Sequence, residues 1–372
     1  RRAPTVKNDL PRWIDVGVIP AVNILLAFLV AGVVVVLAGE SPLEALEVLV
    51  NGAFGYEEAI GYTLYYATNL VFTGLAVAVA FHAGLFNIGA EGQAYLGGLG
   101  VGLAALGLDG VLPGWAVIPV AVAASGLFGA AWAFLPGWLQ AHRGSHVVIT
   151  TIMFNFLASA LMVHLMVNVL IQPGQMSPES REFASNAWLP FAHEALAAVG
   201  IVVARSPLNL SILLAAAACV FVWVLINRTR WGYAIRTVGA NEAAAVYAGI
   251  DPRKVIVATM CVSGALAGFV GVNELLGVHH RLLLNFTAGY GFTGIAVALM
   301  GRGHPVGIVL ASLLFGALYQ GGTELDFEFD SITRDLVVVI QGLVILFSGA
   351  LAFMLHPLAL RLWRHARREG PA

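Results

Sequence analysis

Long apolar runs constrain this chain more than any other feature. Between residues 16 and 355 such runs recur, separated mostly by short polar links. A hydrocarbon core about 30 Å thick takes roughly twenty apolar residues in a helix. In lipid, only helices and closed barrels satisfy their own backbone groups. The runs are continuous and of helix-spanning length, which favours helices, and their glycine and alanine suit close helix–helix packing in lipid. The expected fold is all-α, a polytopic transmembrane helix bundle of about ten spans.

The expected spans are Val16–Leu37, Ile60–Phe81, a third running from Gly84 to Leu106, Trp115–Leu135, Val147–Leu170, Leu208–Ile226, Val255–Leu276, Gly289–Met300, Val306–Tyr319 and Leu336–Leu355. The eighth is short, so it either tilts among neighbours or is half-re-entrant. Ser41-Pro42-Leu43-Glu44 has the capping-box pattern with proline at N1. The amphipathic stretch Leu43–Phe54 is too short to cross and is expected along the outer surface. The first run lacks a small-residue cleavage signature, so it reads as a retained span.

Ten crossings place both termini on one side. With the termini cytoplasmic, fifteen of the nineteen Lys and Arg fall inside and fourteen of the twenty-one acids outside. Basic residues gather on the cytoplasmic side of membrane proteins. The expected organisation is a cytoplasmic leader (1–15), a transmembrane domain (16–355) and a basic cytoplasmic tail (356–372) with Arg361, Arg364, Arg367 and Arg368. The domain carries an outer loop (171–206) and a cytoplasmic loop (227–254).

Composition narrows the function classes. Only 11% of the 372 residues are charged, against about 25% in soluble domains. The bilayer is the expected surrounding and no soluble domain is expected. A net charge of −2 leaves no footprint for nucleic acid. The two cysteines, Cys219 and Cys261, lie in apolar runs and read as packing residues. The only lysines, Lys7 and Lys254, do not end a GxxxxGK[ST] pattern, so no P-loop is present. The chain is expected to hold no cofactor; if ATP drives it, another polypeptide hydrolyses that ATP. No metal or catalytic set with credible spacing appears.

The loop NRTRWGYAIRTVGANEAAAVYAGIDPRK, residues 227–254, holds five of the nineteen Lys and Arg. Asn241 suits an N-cap, and Glu242 a first turn where the helix dipole favours a carboxylate. Gly249 suits a left-handed C′ position, and Asp251-Pro252 the N-cap and N1 of the next helix. The helix so bounded, Glu242–Ala248, spans about 10 Å and is marginal alone in water. Ala243, Ala244, Ala245 and Ala248 would let another surface approach closely. A docking helix for a cytoplasmic partner and a capped loop helix lying on the membrane both fit.

Polar residues at membrane depth usually face protein or water rather than lipid. Asn87, Glu91 and Gln93 in GLFNIGAEGQ either close interhelical hydrogen bonds or line a path. Asn155, with Thr150 and Thr151, carries the same two readings. Thr73–Ala80 (TGLAVAVA) and Thr293–Met300 (TGIAVALM) agree at five of eight positions. They read as pseudo-repeated halves with a path between them, or as a chance match in Ala/Val-rich helices. Asn69, Thr73, Asn87, Glu91, Gln93, Asn155 and Thr293 are the candidate path residues. Glu274 is expected at the outer interface, His279 and His280 as interfacial histidines, and Asp109 with the 324–335 acids on a solvated outer face.

Four motifs in register carry a resemblance: GLFNIGAEGQ (84–93), HVVITTIMFNF (146–156), VGANEAAAVYAGID (238–251) and GYGFTGIAVALMGRGHPVGIVLASLLFGAL (289–318). Together they resemble the permease subunits of bacterial ABC importers for nucleosides and simple sugars, over about residues 42–350. The resemblance implies a multi-pass inner-membrane protein that pairs with a second related permease, here as a heterodimer. It implies a cytoplasmic ATPase subunit gripping the loop at Gly239, Asn241, Glu242, Ala244, Tyr247, Gly249 and Asp251. It also implies an extracytoplasmic solute-binding protein docking near Gln172–Ser206 and the helix after Ser41. Glu242 stands where the family often has proline. The implied function is alternating-access import of a nucleoside, or else a simple sugar. An ion-coupled secondary transporter using Glu91 is the alternative; a membrane enzyme lacks a catalytic set and a channel lacks a filter motif.

Overall fold

The structure is a computed structural model and describes residues 11, 14–333, 335–344, 346, 347, 357, 359 and 360. The basic leader before Pro11, Arg334, most of the expected tenth span beyond Val344 and the arginine-rich tail from Arg361 lie outside the described residues. All named elements are helical: α1 (Ile19–Leu37), α2 (Pro42–Phe54), α3 (Glu57–His82), α4 (Ala90–Leu108), α5 (Gly114–Arg143), α6 (Val147–Asn168), α7 (Ala192–Ala197), α8 (Ser211–Arg228), α9 (Arg230–Ala240), α10 (Glu242–Tyr247), α11 (Pro252–Gly268), α12 (Tyr290–Met300), α13 (Pro305–Glu328) and α14 (Asp335–Val344). The all-α polytopic bundle expected from the sequence is what forms.

Among the described residues, seven helices are long and apolar enough to cross a membrane: α1, α3, α5, α6, α8, α13, and α11 with the π-helical segment Val272–His279 that continues it. With eleven residues, α12 is only about 16 Å long at 1.5 Å per residue, too short to cross alone.

The chain divides into two compact units, residues 1–52 with 321–372 and residues 53–320. In the first, α1 buries Ile19, Asn23, Ala27, Ala31 and Val35, a single stripe at a spacing of four. Leu25, Leu29 and Val33 on its other faces stay exposed, as suits a helix in hydrocarbon. Ser41 accepts a long hydrogen bond from the Glu44 N–H (3.5 Å), so the expected cap at the start of α2 is in place.

In the second unit α3 is the most enclosed helix, with every residue from Ala67 to Ala80 buried. A helix apolar all round belongs in an interior, and here its neighbours are other spans. Around it, α4, α5 and α11 meet through glycine. A Cβ on Gly97 would stand 2.2 Å from the Gly268 Cα, and one on Gly129 would stand 2.2 Å from the Gly264 carbonyl. Gly264 and Gly268 form a GxxxG pair, the spacing that lets helix backbones touch in lipid. Ser125 seals the contact by donating to the Gly268 carbonyl at 2.6 Å.

The 171–206 connection is fastened rather than loose. Arg181 donates through both terminal nitrogens to the Asp109 carboxylate at 2.8 Å, and the Ala184 N–H adds a third bond to it. Trp188 stacks on His280 with ring centroids 4.1 Å apart. Asp109 is therefore buried, not part of a solvated face. The Arg181 guanidinium beside it holds its carboxyl below the usual aspartate range. Sequence spacing could not reveal this, because the partners are seventy-two residues apart.

Three other boundaries differ from expectation. The third span is not helical from Gly84; residues 85–88 are irregular and α4 begins at Ala90. The ninth runs on to Glu328, so the acids of 324–328 form its last turns. The short helix in the 227–254 loop ends at Tyr247, with Ala248 as its C-cap.

Candidate functional site

Two places gather the singled-out residues. The first is the 227–254 loop. Thr229 ends α8 and caps α9, its hydroxyl accepting from the Gly232 N–H at 3.0 Å. Helix α9 buries only Gly232, Ile235 and Val238, a stripe at spacing three that the sequence reading did not single out. Asn241 then caps α10 by accepting from the Ala244 N–H at 3.1 Å. Gly249 closes it at φ +75°, a conformation glycine adopts without cost. Asp251 caps α11 by accepting from the Arg253 N–H at 3.0 Å, with Pro252 at N1.

The faces of α10 are unequal. Ala245 is fully buried while Asn241, Glu242 and Ala244 are exposed. Val246 is 58% exposed and Tyr247 96%. Behind α10, Gly239 lies against the end of α3: a Cβ on Gly239 would stand 2.3 Å from the His82 carbonyl and 2.8 Å from the Gly84 nitrogen. The loop thus rests on the segment that leads into Asn87 and Glu91.

The second place is the polar layer at membrane depth. Asn87 and Gln93 form a reciprocal amide pair (2.9 and 3.2 Å), and Asn87 also donates to Ser263 at 2.9 Å. Asn155 on α6 accepts from the Gly92 N–H and donates to the Ile88 carbonyl, both at 2.9 Å. It satisfies backbone groups that the start of α4 would otherwise leave open. Glu91 reaches the start of α12. One of its oxygens accepts from the Thr287 hydroxyl (2.6 Å) and the Gly289 N–H (3.1 Å), the other from the Gly291 N–H (2.8 Å). A carboxylate on the amides that open a helix is favoured by the helix dipole.

Asn69, Thr73, Asn87 and Gln93 are fully buried, whereas Glu91, Asn155 and Thr293 are only half-buried. Thr73 packs on Gly294, and Thr293 lies 3.0 Å from the Tyr319 hydroxyl. The two copies of the TG-AVA motif are therefore on neighbouring helices, α3 and α12.

Glu274 is enclosed by protein rather than exposed at a span end. It is 2% exposed and accepts from the Tyr65 hydroxyl at 2.7 Å and from the Asn69 amide. His279 approaches its other oxygen at 3.4 Å. The π-helical segment Val272–His279 carries Glu274 inward, and a local widening of this kind often marks a functional site. The sequence showed only an acid near a span end; the inward turn was not legible. Among the described residues no group of three or more His, Cys, Asp or Glu is placed to hold a metal.

A family model described as "Branched-chain amino acid transport system / permease component" matches residues 59–349. The chain belongs to this permease family. As a permease it is similar to the guanosine ABC transporter permease protein NupP of Bacillus subtilis, at 34% identity over 89% of this chain and 92% of that one. It is 33% identical to the glucose ABC transporter permease protein TsgB13 of Haloferax volcanii, over 92% of this chain and 89% of that one. The nucleoside ABC transporter permease protein NupB of Lactococcus lactis is also 33% identical, over 88% of this chain and 89% of that protein. The resemblance carried by the four motifs holds along nearly the whole chain. The permease is a multi-pass inner-membrane protein, and its family is a transport family rather than a catalytic one.

Proposed function

We propose that this permease is the membrane subunit of an ABC importer for a nucleoside, or else a simple sugar. A separate ATPase subunit drives it through α10, and the chain itself holds no nucleotide site and no cofactor. The observation that carries this reading is α10: a six-residue helix capped at both ends, exposing Val246 and Tyr247 between two spans. Helix residues held this firmly with apolar groups outward suit a partner's groove.

In this reading the loop 227–254 and both termini face the cytoplasm, and residues 16–355 form the permease domain. A second related permease completes the path as a heterodimer. An extracytoplasmic binding protein delivers solute at the 171–206 side. Gly239, Asn241, Glu242, Ala244, Tyr247, Gly249 and Asp251 make the coupling site. The path runs along Glu91, Asn155 and Thr293, with Asn69, Thr73, Asn87 and Gln93 as the layer behind them. Alternating access then follows if the ATPase and the binding protein each favour one state by differential contacts. The ion-coupled alternative gains no support, since both Glu91 oxygens are engaged in capping α12.

The test is ATP-driven uptake by the reconstituted complex with Ala244→Asp. Ala244 is exposed, so the variant should enter the membrane normally and lose uptake. Undiminished uptake would remove α10 from the mechanism.

A further inference from the structure

At the end of the bundle that carries the 227–254 loop, three elements enclose a small cavity of about 120 Å³. His82 is the last residue of α3, Asn227 lies at the end of α8, and Arg302 and His304 sit in the turn between α12 and α13. Among the described residues its lining holds one arginine, two histidines and no Asp or Glu. The rest of the lining is largely apolar, with Val222 and Ile226 of α8 and Pro305. At roughly 30 Å³ per water, the space suits one tetrahedral phosphate.

The hydrogen bonds already made fix what each ring can offer. His304 Nδ1 accepts from the Val306 N–H at 3.3 Å, so the neutral ring carries its proton on Nε2 as a donor. His82 Nδ1 lies 2.7 Å from the Ala78 carbonyl and holds a proton there, which leaves Nε2 to take a second one beside an anion. Arg302 supplies a permanent charge and a planar fork that matches phosphate oxygens. The Asn227 amide donates to the Trp223 carbonyl at 3.0 Å, and the Arg228 guanidinium lies over the Trp223 ring, 5.1 Å from its centroid. Tryptophan and arginine at the end of a spanning helix mark the headgroup level of a bilayer. A phosphate held here therefore sits at headgroup depth, with Val222 and Ile226 beside it for the glycerol and first methylenes.

We propose that His82, Asn227, Arg302 and His304 form a binding site for the phosphate of an anionic phospholipid. This goes beyond the import reading and depends on neither the solute nor the ATPase. One bound headgroup would tie the end of α3, the end of α8 and the α12–α13 turn together, at the α3 end that Gly239 touches. A soluble phosphate offers the same oxygens but nothing for Val222 and Ile226 to match.

The experiment uses the full-length protein in its intact complex, purified in detergent and stripped of lipid. Phosphatidylglycerol with a photoreactive headgroup is cross-linked to wild type and mapped. Bound phosphatidylglycerol is then counted by native mass spectrometry for wild type, Arg302→Gln and Arg302→Lys. The label should insert at His82, at Asn227 or in the 302–305 turn. Unlabelled phosphatidylglycerol should displace it, while equal concentrations of phosphatidylcholine or inorganic phosphate should not. Arg302→Gln should weaken phosphatidylglycerol binding about tenfold, the scale of a lost charge-assisted hydrogen bond, and Arg302→Lys should weaken it less. Insertion elsewhere in wild type, or wild-type affinity in Arg302→Gln, would overturn the site. Displacement by inorganic phosphate as readily as by the lipid would assign the cavity to a soluble phosphate and overturn the lipid. If Arg302→Gln fails to assemble, the wild-type labelling decides alone.

Discussion

Gly239 and Gly84 meet backbone to backbone, so the loop that carries α10 rests directly on the turn between α3 and α4. A Cβ on Gly84 would lie 3.3 Å from the Gly239 Cα, and one on Gly239 would lie 2.8 Å from the Gly84 nitrogen. Three residues beyond Gly84 is Asn87, whose amide holds Gln93 and Ser263. A push on α10 therefore has a short, packed route to the polar layer. Close-packed interiors transmit such displacements rather than absorb them.

Gly239→Ala should uncouple the two. The added methyl meets the His82 carbonyl at 2.3 Å, so the loop must back away, at about 1–3 kcal/mol for overpacking. ATP hydrolysis by the assembled complex should persist while solute uptake falls about tenfold or more. Coupled uptake at the wild-type rate would show that the contact transmits nothing.

Glu91 tests the driving force. Glu91→Ala strips three donors of their acceptor and should cost about 1–2 kcal/mol, the scale of a lost cap. It should lower the melting temperature and uptake together. Glu91→Gln keeps one acceptor oxygen but sets its amide nitrogen against one of these donors, so stability should fall by less than in the alanine variant while the remaining ATP-driven uptake shows no ion dependence. Uptake abolished by glutamine in a protein of normal stability would point to proton or ion coupling through this carboxyl.

The Asp109–Arg181 clasp should show in the pH dependence of stability. The Asp109 carboxyl titrates below its usual range because Arg181 holds it. Its contribution is thus complete above the unfolded value, about 3.9, and is lost as pH falls through the lower folded one. The melting-temperature gap between wild type and Asp109→Asn should be constant from about pH 5 to 8 and close only below about pH 4. A gap that closes near neutral pH would refute the assignment.

Much of this was legible in the chain. Long apolar runs gave the helical class, and Asn241, Gly249 and Asp251-Pro252 marked α10 and its neighbours because caps and stops are local chemistry. Asp109 and Glu274 were misplaced because long-range partners bury them: Arg181 for the first, Tyr65 and Asn69 for the second. The packing of Tyr66 and Tyr290 on Tyr319 was equally hidden, since the three belong to different helices whose neighbour relations no spacing records. Helix α9 was missed because its buried stripe of Gly232, Ile235 and Val238 lies within a basic, polar-looking stretch.

The most direct test is contact at Tyr247, which is 96% exposed on α10. A photoreactive residue placed there in the intact complex should cross-link to the ATPase subunit, and a membrane-impermeant reagent should reach that position only from the cytoplasmic side. Labelling from the outer face, or a cross-link to the extracytoplasmic binding protein instead, would contradict the coupling role of this loop.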